Sequence, residues 1–231
     1  MLYHIGIENN VEGRSQAWAL DFPGCFAYGR DADGAISAMP DAIANYHSWI
    51  ASRNQDRSWL ESGDIELCLD ETWDVYAIDS NMDLAEQGYE VNAWFRHDWK
   101  PLTGQDVVRA LQLLSWSRAD LLDSVKGLTA LEMDADRSGE RWSIAGILRH
   151  VGGAEWWYLD RLGLIFPKEN VPGDPFERLK VVRAVLIDAL PTLVDSPQVV
   201  GVDGEFWSPR KLVRRAIWHE RDHTHHIHKL R

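Results

Sequence analysis

The stretch from Leu212 to Leu230 carries five of the chain's nine histidines, at positions 219, 223, 225, 226 and 228. Leu212, Ala216, His219, His223, His226 or Ile227, and Leu230 recur at three- and four-residue intervals, the spacing of a helix face buried in a bundle. His219 and His223 lie four apart, so they project from one side of the helix about 6 Å apart along its axis. A histidine-rich tail can also be a solvated polar segment. Here the pair lies on the apolar stripe, where an imidazole without a partner costs a few kcal/mol. A chain with this stripe has to bury it against other helices and give the two imidazoles something to bind.

A divalent metal answers that need if a further donor comes from elsewhere. The best placed is His150, in the middle of the helical segment Trp142 to Val151 (WSIAGILRHV). Two imidazoles from one helix and one from a neighbour make a three-histidine site, His150, His219 and His223, with open positions for water or substrate. Zinc and nickel both suit imidazole donors. His225 and His228 fall off the stripe, and His226 borders it.

The segments Trp142 to Leu162 (WSIAGILRHVGGAEWWYLDRL) and Leu212 to Ile227 (LVRRAIWHERDHTHHI) resemble the second and fourth helices of the DinB-like, or YfiT-like, superfamily. The resemblance spans about residues 100–231. It implies a four-helix bundle with a crossover connection, in which one histidine of the second helix and an HxxxH pair of the last bind a divalent metal. By motif these are again His150, His219 and His223. It also implies thiol S-transfer or thiol-dependent isomerisation as the kind of chemistry, with hydrolysis as an alternative.

Composition bounds the remaining possibilities. The net charge is −12, which opposes a nucleic-acid partner, because neutralising phosphates needs clustered Lys and Arg. The charge is uneven: residues 1–100 carry 18 acidic and 6 basic side chains, whereas residues 101–231 carry 18 of each. That break predicts two domains, 1–100 and 101–231. No apolar run approaches a membrane span, and Met1–Ile5 lacks a signal-peptide pattern, so the expected location is cytoplasmic with no membrane partner. Cys25 and Cys68 read as small buried hydrophobes rather than a disulfide or a nucleophile.

The first hundred residues read as strands around one helix: Leu2–Glu8, Ser15–Phe22, Cys25–Gly29, a helix from Asp31 to Trp49 with Pro40 inside it, then Ile65–Leu69 and Tyr89–Phe95. The expected class is α+β, a small β-β-β-α-β domain followed by the bundle. The turn DFPGCFAYG and the helix ending DAIANYHSWI resemble the HicB-like domain over about residues 1–70, although Arg30-Asp31 stands where that family usually starts its helix with Asp-Thr. The resemblance implies a sheet-and-helix fold with a lid or partner-recruiting role. In HicB antitoxins the fold blocks a ribonuclease and an appended module binds DNA, but nothing here resembles that module.

Beyond Pro101 the punctuation is helical. Thr103-Gly104-Gln105-Asp106 is a capping-box start, followed by a seam of Val107, Leu111, Leu114, Leu121, Val125 and Leu128. Arg118 interrupts the seam, either pairing with a carboxylate at the bundle edge or holding an anionic group at the metal cavity. The segment Thr129–Arg141 reads as a polar loop, Ser143 as a cap, and Asp174-Pro175 and Ser208-Pro209 as starts of the third and fourth helices, each of the four about 18 to 25 residues long. Gly152-Gly153 costs about 1 kcal/mol each in helix propensity and permits close approach of a helix or ligand. Trp156, Trp157 and Tyr158 could wall a substrate pocket, though ordinary core packing explains them as well. No general base stands out; Glu220, Asp222 and Tyr158 are candidates by position, with Glu220 and Asp222 expected at solvent or hydrogen-bonded to imidazole N–H groups.

The DinB-like resemblance implies an activity that is metal-dependent and thiol-using, on a small-molecule substrate with a low-molecular-weight thiol. A metal-dependent hydrolase and a non-enzymatic binding protein are the alternatives, and a homodimer is compatible with either.

Overall fold

The structure, a computed structural model, describes residues 1–53 and 63–231. The chain forms two compact units, Met1–Lys100 with Gly201–Trp207, and Pro101–Val200 with Ser208–Arg231. The class is mixed α+β. Among the described residues no helix is long and apolar enough to cross a membrane.

In the first unit β1 (Leu2–Val11), β2 (Arg14–Ala19) and β3 (Phe26–Gly29) precede α1 (Ala32–Arg53), and β4 (Glu66–Asp74) follows. The sheet order is β3-β2-β1-β4, with β1 antiparallel to β2 and parallel to β4. Alternation along β1 sends Tyr3, Ile5 and Ile7 into the core with Ala35, Met39, Ile43, Tyr46 and Ile50 of α1. The helix runs past Trp49, and Pro40 does not end it: that residue sits on an exposed position of the outer face. Glu8 on the opposite sheet face is fully buried, accepting hydrogen bonds from Trp18 Nε1 at 3.1 Å and the Ala93 backbone N–H at 2.7 Å.

The expected strand over Tyr89–Phe95 is shorter. A second sheet contains β5 (Tyr76–Ile78), β6 (Leu84–Ala85) and β7 (Tyr89–Val91) in the order β6-β5-β7, and Phe95 leads into a 3₁₀ turn, Arg96–Trp99.

The second unit is built on α2 (Gly104–Ser124), α3 (Ala130–Asp134), α4 (Ile144–Arg161), α5 (Pro175–Ala189) and, after the hairpin β8 (Val200–Val202) and β9 (Glu205–Trp207), α6 (Pro209–Leu230). Thr103, Ser143, Asp174 and Ser208 cap α2, α4, α5 and α6 with side-chain oxygens that accept backbone N–H bonds, each cap contributing about 1 kcal/mol. α4 packs on α5 and α6, and α2 packs on α6. Leu121, Val125, Ile144, Ile147, Leu148, Val151, Leu179 and Ile227 form a continuous buried cluster, each side chain contributing about 1.5–3 kcal/mol on burial.

Three expectations change here. α5 is 15 residues long, shorter than expected. The segment Thr129–Arg141 is not all loop: Thr129 forms a capping box with Glu132 that starts α3, and Met133 packs on the core. Residues 201–207 belong to the first unit, where Tyr89 donates a hydrogen bond from its hydroxyl to Glu205 and Trp94 packs on Phe206.

Gly152 accounts for the closeness of α4 and α5. A Cβ there would lie 2.9 Å from Arg178 Cγ and 3.4 Å from the Leu179 backbone nitrogen. The helix that approaches is α5.

Candidate metal centre

His150 stands on α4, and His219 and His223 stand on adjacent turns of α6. Their Nε2 atoms meet. His219 Nε2 is 3.0 Å from His150 Nε2 and 3.1 Å from His223 Nε2, and the three donors lie within 4.8 Å of one another. His219 is buried and the other two are half-buried.

Two of the rings, His219 and His223, are held toward their neutral form. Burial, then the charges of His223, His150 and Arg215, push His219 well below the usual imidazole range. Burial, then His150 and His226, lower His223 to about 3. A neutral imidazole keeps one ring N–H and presents a lone pair on its other nitrogen, so the cluster can offer one nitrogen donor from each ring. Tetrahedral ligation at 2.0–2.1 Å would put donor nitrogens about 3.3 Å apart, close to the separations found. Nitrogen donors and spacing fit a divalent transition metal, and the three histidines are the residues that would hold it.

The surroundings fix the rings. Trp142 stacks on His150 with centroids 4.3 Å apart and planes 23° from parallel, and the Arg141 guanidinium lies 4.6 Å over Trp142. Tyr158 is buried with its ring 6.1 Å from that of His219. His226, whose ring lies 6.0 Å from that of His223, is held by Glu140 at 2.8 Å. His223 Nδ1 is buried with no hydrogen-bond partner among the described residues. His225 and His228 are exposed.

Glu220 is not at solvent; it is 1% exposed. It enters a four-helix ion cluster with Arg118 of α2, Glu155 of α4 and Arg183 of α5. Arg183 reaches Glu155 at 2.7 and 3.0 Å and Glu220 at 2.9 Å, while Arg118 donates to Glu155 at 2.9 Å and also to Glu220. Ser117 donates to Glu220 as well, and Arg183 Nη1 donates to the Leu114 carbonyl at 2.6 Å. Burial would raise the Glu220 carboxyl, but Arg183 and Arg118 outweigh it and hold it below its ordinary value. Two guanidinium groups balance two carboxylates, so the cluster is neutral and each charge is paired, the condition under which buried ions are tolerated. Arg118 thus binds carboxylates inside the bundle rather than at its edge, and both its carboxylate partners are protein side chains.

Trp156 and Trp157 do not line the histidines. Trp156 packs in the core and donates Nε1–H to the Phe166 carbonyl at 3.0 Å, and Trp157 lies under Arg161. The indoles at the site are Trp142, stacked on His150, and Trp218, whose ring centroid lies 5.7 Å from that of His219.

Residues 113–227 match the family profile described as DinB superfamily. The chain is similar in structure to YfiT from Bacillus subtilis, described as a probable metal-dependent hydrolase with an unusual four-helix bundle topology. The similarity is at 19% identity and a TM-score of 0.45, over 56% of this chain and 87% of that one. Among curated proteins the comparison gave no match. The profile match leaves residues 1–112 uncovered, so the HicB resemblance stays with the sequence alone. His150, His219 and His223 all fall within residues 113–227, the part of the chain that matches the DinB superfamily.

Proposed function

We propose that the helical unit is a metal-dependent enzyme. His150, His219 and His223 hold a divalent ion, zinc or nickel, and the sulfur of a low-molecular-weight thiol attacks an electrophilic small molecule beside them. The observation that carries this reading is the meeting of three imidazole Nε2 atoms from two helices. An ion held there supplies Lewis acidity, lowering the pKa of a protic group that enters its open position.

The protein's own groups complete the site. Trp142 fixes the plane of the His150 ring. The guanidinium of Arg215, one turn before His219 and 4.5 Å from the Trp218 ring centroid, adds positive charge that favours an anionic nucleophile or substrate group. The C–S bond forms as the bond from the attacked carbon to its leaving group breaks, the leaving group departing with that electron pair, and the thiol's proton passes to His226, which lies one turn beyond His223 and is backed by Glu140.

The test is turnover of a generic electrophile by zinc- or nickel-loaded protein, with and without cellular thiols, beside His219→Ala. Thiol-dependent consumption that disappears in the variant supports the proposal. Thiol-independent hydrolysis of an ester or amide, lost in the same variant, would replace it with a hydrolase. Tight metal binding with neither activity would instead favour a binding protein that recruits a partner through the first unit.

A further inference from the structure

The first unit carries its own set of metal donors. His4 of β1 and Cys68 of β4 face each other across adjacent parallel strands, so their side chains leave the sheet on one side. Asp70, two residues after Cys68, shares that side. The register changes at this point, from Ile5 opposite Leu69 to Gly6 opposite Glu71, which leaves Asp70 as the extra residue of a bulge. Bulges re-aim a side chain, and here the Asp70 carboxylate turns onto His4 Nδ1 at 2.9 and 3.0 Å while also accepting from the Cys68 thiol. One nitrogen, one sulfur and one oxygen donor lie within 4.8 Å of one another.

We propose that His4, Cys68 and Asp70 form a second metal site, for a borderline-soft divalent cation such as Zn²⁺. The donor set is one that zinc accepts, and three protein donors leave one tetrahedral position for water. The donors stand on paired strands, so most of the ordering cost is met by the sheet. Side chains of His4 and Asp70 are 45% and 38% exposed, which gives an ion a path in. Negative charge accumulates around the site: the Asp21 carboxylate interacts with both His4 and Asp70 and is anchored by His97 Nε2 at 2.9 Å. A nucleophilic cysteine fits less well. In a thiol–imidazole–carboxylate relay the imidazole stands between the other two, whereas here the carboxylate is the shared partner of the thiol and the ring.

The sulfur makes this site distinguishable from the three-histidine centre. Full-length reduced protein titrated with Co²⁺ should bind two equivalents and develop a near-ultraviolet thiolate-to-cobalt charge-transfer band. Cys68→Ser should lose that band and one equivalent, Asp70→Asn should weaken both, and His219→Ala should keep the band. Absence of the band in the unaltered protein overturns the proposal. So does a band that survives in Cys68→Ser, which would assign it to Cys25, the other cysteine of the chain.

Discussion

His219 and Glu220 are consecutive on α6, yet one points its Nε2 at His150 and the other binds Arg183 in the middle of the bundle. A single helix phase therefore serves both the candidate metal centre and the ion cluster. Any rotation of α6 that moved the histidines would pull Glu220 off two guanidinium groups.

Removing one member of the cluster tests how firmly it sets that phase. Arg183→Met leaves Glu155 and Glu220 with Arg118 alone, and breaking a buried ion set in this way costs about 3–5 kcal/mol. Chemical denaturation followed by helix signal should show a loss of that size for the helical unit. A loss under about 1 kcal/mol would mean the cluster is not what locks the helices.

Gly152→Ala sets two effects against each other. Alanine gains about 1 kcal/mol of helix propensity, but its methyl would lie 2.9 Å from Arg178 Cγ, in a side chain tied to the Pro172 and Arg149 carbonyls. Overpacking costs about 1–3 kcal/mol, so the variant should be less stable in thermal unfolding. A stabilised variant would show that α5 can give way there.

The start of α2 predicts an acid-sensitive contribution. Burial alone would raise the Asp106 carboxyl, but the Thr103 backbone N–H and the Arg210 guanidinium outweigh it and hold it below its ordinary value. A carboxyl depressed in the folded state stabilises above the unfolded value of about 3.9, and that contribution is lost as pH falls through the folded value. Asp106→Asn should therefore lower stability at neutral pH and flatten its fall below about pH 4. A variant that keeps the full acid dependence would remove Asp106 from the account.

The convergence of the three histidines was legible because a pair four apart shares one helix face, and His150 is the histidine placed mid-helix in another bundle segment. The ion cluster was not, since Arg183, Glu155 and Glu220 look like solvated helix charges until the neighbouring helices are in place. Arg118, interrupting an apolar seam, was its only visible sign. The His4–Cys68–Asp70 group depends on a parallel strand pairing more than sixty residues apart, which local patterning does not reveal. The β8–β9 hairpin could have been read: Asp203-Gly204 between alternating segments is a turn signal, and both residues adopt positive φ, 50° and 77°.

That hairpin affects a truncation. A fragment of residues 101–231 should fold as a helical bundle when 201–207 is replaced by a short Gly/Ser linker, and should aggregate more when the segment is kept, because Trp207, fully buried in the whole chain, loses its surroundings. Circular dichroism and light scattering distinguish the outcomes. An unfolded linker fragment would show that the helices cannot bury their stripes among themselves.

The most direct measurement is a calorimetric zinc titration of the full chain carrying Cys68→Ser, which isolates the three-histidine centre, repeated with His150→Ala, His219→Ala and His223→Ala added singly. One equivalent should bind to the parent. Each added variant should weaken binding by more than the roughly 10–100-fold that follows loss of an outer hydrogen-bond partner, whereas His225→Ala with His228→Ala should leave it unchanged. Equal affinity in the parent and in His219→Ala would contradict the metal centre and the enzyme built on it.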